Sequence, residues 1–346
     1  MARTAQVTGS GQMNVGIAIR HPEHAHLYRR PVERLRERGH EVSLFVREFR
    51  DTTELLDRFG VAYTLLADEP DGIVDLFAGH LRYEVGVLRA ARRADVDVLT
   101  SVGGRAVSHI APLLDVPCVV FADWTPGAVD RAVARLADVV ATPAFLRGEY
   151  GPRQVVYDGL HELAYLRPDP EAPEQSNGAT LDHGTSDVER STGSTTAVAF
   201  TPETADASWV TETVATLDAT GRVLVVGGRS PAATEHVSER VSRERVHTAL
   251  ADADRVVTDL GTVATEAAVL GTPTVFVGGR PPRRCSYLAR EYGLVELADP
   301  TSMPVAVETH LGDDPGPLWA QRRQALLEDT VDVADYVVDR LIEVGA

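Results

Sequence analysis

Residues 253–277 read ADRVVTDLGTVATEAAVLGTPTVFV, and this stretch decides the fold class. A short apolar run, RVVTDL (255–260), delivers Asp259 to a tight turn at Gly261. A helix starts at about Thr262 or Val263, and Gly271 with Pro273 stops it before the next apolar run, TVFV (274–277). Strand, turn, helix and strand in this order make a βαβ unit. The turn leaves a helix N-terminus exposed, with free N–H groups and a positive dipole end that suit a phosphate. Glu266, one turn in, faces the same mouth and can accept the hydroxyl protons of a ribose attached to that phosphate. The same letters also fit a plain turn with a capping threonine and a solvated glutamate.

The rhythm extends in both directions. Upstream, VGIAI (15–19), EVSLFV (41–46), VAYTLL (61–66), DVLT (97–100), CVVF (118–121) and VVAT (139–142) alternate with helical text such as PVERLRER and TTELLDRFG. Pro31 is assigned to the first turn of the first helix and Gly39 to its end. Downstream come TAVAF (196–200), RVLVVGG (222–228), TVFVGG (274–279) and LVEL (294–297), and the text from 318 to 344 carries Leu326, Val333, Tyr336, Val337 and Leu341 at helical spacing. Between the two series, residues 167–195 are rich in Pro, Glu, Ser, Gly and Asp and read as a flexible linker. The expected architecture is α/β, with two doubly wound Rossmann-like domains. A disordered tail spans 1–12, an N-terminal domain 13–166, a linker 167–195, and a C-terminal domain with closing helices 196–346. A length of 346 residues fits two domains at about 100–200 residues each.

Composition narrows the function. Basic residues number 34 and acidic residues 51, giving a net charge of -17, and every basic residue is arginine. Such a surface repels nucleic acid, and carboxylates spread along the whole chain suit a halophilic, cytoplasmic setting where molar salt screens their repulsion. No apolar run approaches the ~18 residues of a membrane span, so no membrane insertion is expected. Cys118 and Cys285 have no metal-knuckle context. No GxGxxG follows the first strand of either domain, which argues against a nicotinamide dehydrogenase, and a Walker motif is impossible without lysine.

Four further segments sit at strand ends, where ligands of open α/β sheets collect. They are the loop His21, Pro22, Glu23, His24, Ala25, His26; the turn Gly103, Gly104, Arg105; Asp123 in FADWTPG (121–127); and Gly227, Gly228, Arg229 in VVGGRSP (225–231). Each also has a plain structural reading: imidazoles bonding backbone carbonyls, or glycines that only shape a turn. The histidine loop lacks the spacing of a zinc signature, so neither a metal nor a cofactor is expected.

The strand, Gly-Thr turn, first-turn Glu266 and closing Gly-x-Pro resemble the nucleotide-sugar site of glycosyltransferase-B-fold proteins, including MurG-type transferases and UDP-N-acetylglucosamine 2-epimerases. Over both domains the chain is similar to an archaeal family of glycosyltransferase-like proteins catalogued as domain of unknown function 354. The segments that carry this likeness are 19–42 (IRHPEHAHLYRRPVERLRERGHEV), 54–66 (ELLDRFGVAYTLL), 158–166 (DGLHELAYL) and 253–273. The resemblance implies diphosphate at Gly261 and Thr262, ribose at Glu266, and Gly227, Gly228 and Arg229 near the base or diphosphate. It puts the histidine loop on the acceptor side of a cleft between the domains. There a neutral imidazole of His24 or His26 would take the proton of an attacking hydroxyl. Asp123 is the candidate carboxylate beside the sugar ring. The chain departs from the family pattern in four places: Ala18 stands in place of a strand aspartate, His21 in place of an asparagine, Thr201 in place of an arginine, and Trp124, Thr125 and Pro126 in place of an acid and a histidine after Asp123.

The expected function is sugar transfer from a nucleotide-diphosphate donor, UDP-linked by resemblance, to an acceptor the sequence does not name. Nucleotide-sugar 2-epimerisation and non-catalytic nucleotide-sugar binding are the alternatives. Oligomeric state is not legible.

Overall fold

The computed structural model describes residues 11–68, 73–168, 194–228, 231, 234–300 and 315–346, without the side chains of 73–78. Residues 1–10 of the expected tail, 169–193 of the expected linker, and Arg229 lie outside the described residues.

Most of the apolar runs become short strands with buried central residues, as a parallel sheet between helical layers requires. The first unit holds β1 (Asn14–Ile19), β2 (Glu41–Arg47), β3 (Thr64–Ala67), β4 (Val98–Val102), β5 (Cys118–Phe121), β6 (Val139–Pro143) and β7 (Gln154–Tyr157). Their order is β3-β2-β1-β4-β5-β6-β7, and every pairing is parallel. The helices between them are α1 (Pro22–Glu37), α2 (Thr52–Arg58), α3 (Ile73–Ala94), α4 (Arg105–Leu114), α5 (Ala128–Ala134) and α6 (Leu163–Leu166).

The second unit repeats the plan. Strands β8 (Ser194–Ala199), β9 (Gly221–Val226), β10 (Glu239–Val241), β11 (Arg255–Thr258), β12 (Thr274–Val277) and β13 (Val295–Ala298) lie in the order β10-β9-β8-β11-β12-β13, again all parallel. Helices α7 (Ser208–Asp218), α8 (Val246–Asp252), α9 (Gly261–Leu270), α10 (Arg283–Tyr287) and α11 (Gly316–Asp329) accompany them. In both sheets the winding reverses beside the first strand. The reversal points, β1 against β4 and β8 against β11, open the crevices in which doubly wound sheets take ligands.

Two details differ from the sequence reading. Pro31 lies nine residues beyond the true start of α1, which is Pro22 behind His21, so the histidine segment is helix rather than loop. A proline there removes one N–H, but Ala25, Leu27, Tyr28, Val32 and Leu35 bury a continuous stripe that holds the helix through it. The closing helices also separate. Residues Leu166–Thr330 form the second unit, whereas Val331–Ala346, expected in the C-terminal domain, belong to the first. Helix α12 (Val333–Gly345) packs on α1, β4 and β5, and Arg34 and Arg38 of α1 pair with its Asp332, Asp335 and Asp339.

Candidate functional site

In the second unit the β8/β11 reversal point is built from two loops tied by one carboxylate. Asp259, directly after β11, accepts hydrogen bonds from the Thr201 backbone N–H and hydroxyl, both at 2.8 Å, and from the Thr204 hydroxyl. The threonine at position 201 thus anchors the crevice to Asp259. Gly228, at φ +62, lies against the Phe200 carbonyl so closely that any Cβ would overlap it. Gly227 has φ +74 and open space around its Cα.

Helix α9 starts at Gly261 with Leu260 in the N-cap position and no side-chain cap. Its first-turn N–H groups therefore keep their affinity for an anion. The Arg284 Nη2 donates to the Thr262 hydroxyl at 3.0 Å, which brings a guanidinium to the same helix end. A Cβ at Gly261 would approach Pro282 to 2.6 Å and the Arg284 Nη2 to 3.6 Å, so only glycine keeps this corner intact. Glu266 is 7% exposed, and its Oε1 lies 3.1 Å from the His247 Nε2 on α8. Neither Arg284 nor His247 is prominent in the sequence: one sits in PPRRCSY, the other nineteen residues before its partner.

In the first unit, burial first, and then the charge that neighbouring His21, Arg20 and His161 can carry, push the His24 imidazole down to about 3, so it is neutral near neutral pH. Its Nδ1 faces the Arg20 backbone N–H at 3.4 Å. In that state the ring is an uncharged hydrogen-bonding group. The His26 ring packs between Phe59 and Tyr165, with centroids 5.5 and 5.1 Å away. The turn glycines have a structural explanation: Gly103 (φ +78) would meet Trp124 at 2.9 Å with any Cβ, and Gly104 (φ +66) would overlap Val120.

Asp123 has an imidazole beside it. His161, in the turn after β7, places its Nδ1 3.8 Å from the Asp123 Oδ2, an ion-pair separation when the imidazole is protonated, and both side chains are largely buried. Buried Glu162 follows directly. The sequence signal for His161 was the strand-end segment DGLHE, which offers an imidazole and a carboxylate just past a glycine. Among the described residues no group of three or more His, Cys, Asp or Glu could hold a metal ion, and no helix is long and apolar enough to cross a membrane.

No family model matches the chain, and no curated protein matches it in sequence. Solved structures do resemble it. UDP-GlcNAc 2-epimerase from Neisseria meningitidis, bound to UDP-GlcNAc, superposes with a TM-score of 0.68 at 12% identity, covering 96% of this chain and 100% of that one. MurG from Acinetobacter baumannii gives 0.60 at 14% identity over 95% and 99% of the two chains. The glycosyltransferase SnogD from Streptomyces nogalater gives 0.58 at 15% identity over 97% and 100%. At such identities the likeness is one of architecture: the chain has the two-domain α/β fold of glycosyltransferase-B proteins.

Proposed function

We propose that the chain is a nucleotide-sugar-dependent glycosyltransferase. The observation that carries this reading is the uncapped α9 N-terminus with Arg284 on Thr262 and Glu266 one turn along. The diphosphate of a UDP-sugar would sit on the N–H groups of Gly261 and Thr262, where helix dipole and guanidinium stabilise the growing charge of the leaving group. Glu266 would accept the ribose hydroxyls, with Gly227 and Gly228 leaving room for the nucleotide. In the first unit Asp123 with His161 would receive the acceptor's proton. His24 would bind the acceptor as a neutral ring, and His26 would support α1.

A second reading, 2-epimerisation, draws on the same Asp123, His161 and Glu162 group, because departure and return of the diphosphate need an acid and a base beside the sugar ring. We place the chain with the archaeal glycosyltransferase-like family on the segments quoted above, as a cytoplasmic protein adapted to high salt on its net charge of -17. Incubation with UDP-sugars in molar KCl tests the assignment. UDP released only with an acceptor supports transfer, interconverted sugar without net release supports epimerisation, and melting shifts with neither indicate a binder. No shift with any nucleotide sugar, together with no loss of binding in Glu266→Ala, would reject the nucleotide-sugar premise.

A further inference from the structure

The first unit concentrates positive charge beside its own reversal point. Arg20 follows β1 directly, and Arg47 ends β2 at a register shift against β3. Both guanidiniums point at one imidazole of α3: the Arg20 Nη2 lies 3.1 Å from the His80 Nε2, and the Arg47 Nη1 lies 2.8 Å from the His80 Nδ1. A guanidinium only donates, and a neutral imidazole offers one acceptor nitrogen. One of the two contacts is therefore donor against donor.

The arginines have further hydrogens to give. The Arg47 Nη2 and the Arg20 Nε are buried without a hydrogen-bond partner among the described residues, and Arg47 is only 4% exposed. Gly79 lets the Arg47 guanidinium lie against α3, since a Cβ there would stand 3.3 Å from Nη2. The surroundings add positive charge. Burial lowers the Arg20 pKa; Arg47 and Arg105 push it the same way, while Tyr83 and Glu84 oppose them. His21 is likewise lowered by burial and then by Arg50 and Arg20, and its Nδ1 is buried without a hydrogen-bond partner among the described residues. In a chain of net charge -17, a buried knot of arginines with unspent donors is costly unless it has a use.

We propose that Arg20 and Arg47, bridged by His80, form a receptor for an oxyanion, a carboxylate or phosphate carried by a small-molecule ligand of the first unit. An oxyanion supplies the acceptor lone pairs that His80 cannot supply to both guanidiniums, and charge-assisted bonds from arginine are the strong kind. The site goes beyond the donor reading and does not depend on it, because every residue involved lies in the first unit.

Calorimetric titration of the full chain with inorganic phosphate and with acetate, at constant ionic strength in KCl, tests the site. Saturable binding of either oxyanion at one site per chain is expected, and the anion that binds tells phosphate from carboxylate. Arg20→Gln and Arg47→Met should each weaken it about tenfold or more. Arg47→Met should also melt higher than the parent in chloride alone, since it removes a buried cation with an unmet donor. Absence of saturable binding by both anions, or unchanged affinity in both variants, would overturn the proposal. Displacement of bound phosphate by UDP that persists in Glu266→Ala would also overturn it, because the receptor would then serve the nucleotide's own diphosphate.

Discussion

The His247 Nε2 stands 3.1 Å from the Glu266 Oε1, joining the first turn of α8 to α9. A carboxylate held on one oxygen keeps a fixed rotamer and can present its remaining lone pairs to a ligand. If that ligand is ribose, Glu266→Ala removes hydrogen bonds to a charged group worth about 1.5–3 kcal/mol each, so the UDP dissociation constant should rise roughly tenfold to a hundredfold. His247→Phe removes this one contact but keeps the carboxylate and should cost less. Calorimetry with UDP reads both, and equal affinities in parent and Glu266→Ala would remove the ribose contact.

Close approach at the β4–α4 turn makes a stability prediction that needs no ligand. Gly104 combines φ +66 with overlap of any Cβ on Val120, whereas a Cβ at Gly227, φ +74, would meet no atom of the described residues within 4 Å beyond its chain neighbours. Gly227→Ala should lose about 1–2 kcal/mol from left-handed strain alone. Gly104→Ala adds overpacking and should lose about 2–4 kcal/mol. Denaturant unfolding in constant KCl compares them, and equal losses would show that Val120 yields without cost.

The two sheets were legible because central parallel strands are apolar runs of β-rich residues between helical segments, as in CVVF (118–121) and TVFV (274–277). The strands the sequence did not reveal, β7 and β10, are sheet edges of four and three residues, where one neighbour suffices and the apolar signal fades. The α9 corner could be read locally, since a glycine turn and an acid one turn into the helix lie within six residues. His161 beside Asp123 and His247 beside Glu266 could not, because sequence separation of 38 and 19 positions hides a contact that only strand order creates. The return of α12 to the first unit is hidden for the same reason: its salt bridges to α1 link residues some 298 positions apart.

Acid should weaken the first unit through His24. Its folded pKa is about 3 against an ordinary 6.5, so between those values the unfolded chain binds a proton that the folded chain refuses. Stability then falls as pH drops through that window, with a slope of at most about 1.4 kcal/mol per pH unit from this group. His24→Gln, which does not titrate, should lose less between pH 6.5 and 5, a range above most carboxylate titration. Some slope should survive, because His21 is shifted in the same direction. Parallel pH profiles for parent and variant would mean that His24 is solvated.

Arg34 grips Asp332 with both terminal nitrogens, at 2.9 and 3.1 Å, and Asp332 also caps α12 by accepting from the Ala334 and Asp335 N–H groups. Burial opposes the charge on Asp332, but the hydrogen bonds from Arg34 and from the Asp335 and Ala334 backbone outweigh it, and the carboxyl sits below its ordinary 3.8. That lowered value means the pair stabilises the fold above the ordinary carboxyl range and loses this contribution as pH falls through the folded value. Asp332→Ala should cost most, about 2–4 kcal/mol for cap and pair together. Asp332→Asn should cost less because an amide still caps, and Arg34→Met should fall between them by leaving a half-buried carboxylate without its bidentate partner. Molar KCl should shrink the Arg34→Met loss only in part, since the pair is mostly shielded from solvent. A loss from Arg34→Met that vanishes in molar KCl would mean the contact is a surface ion pair, and α12 would then be held chiefly by its buried face of Val333, Ala334, Val337, Val338 and Leu341.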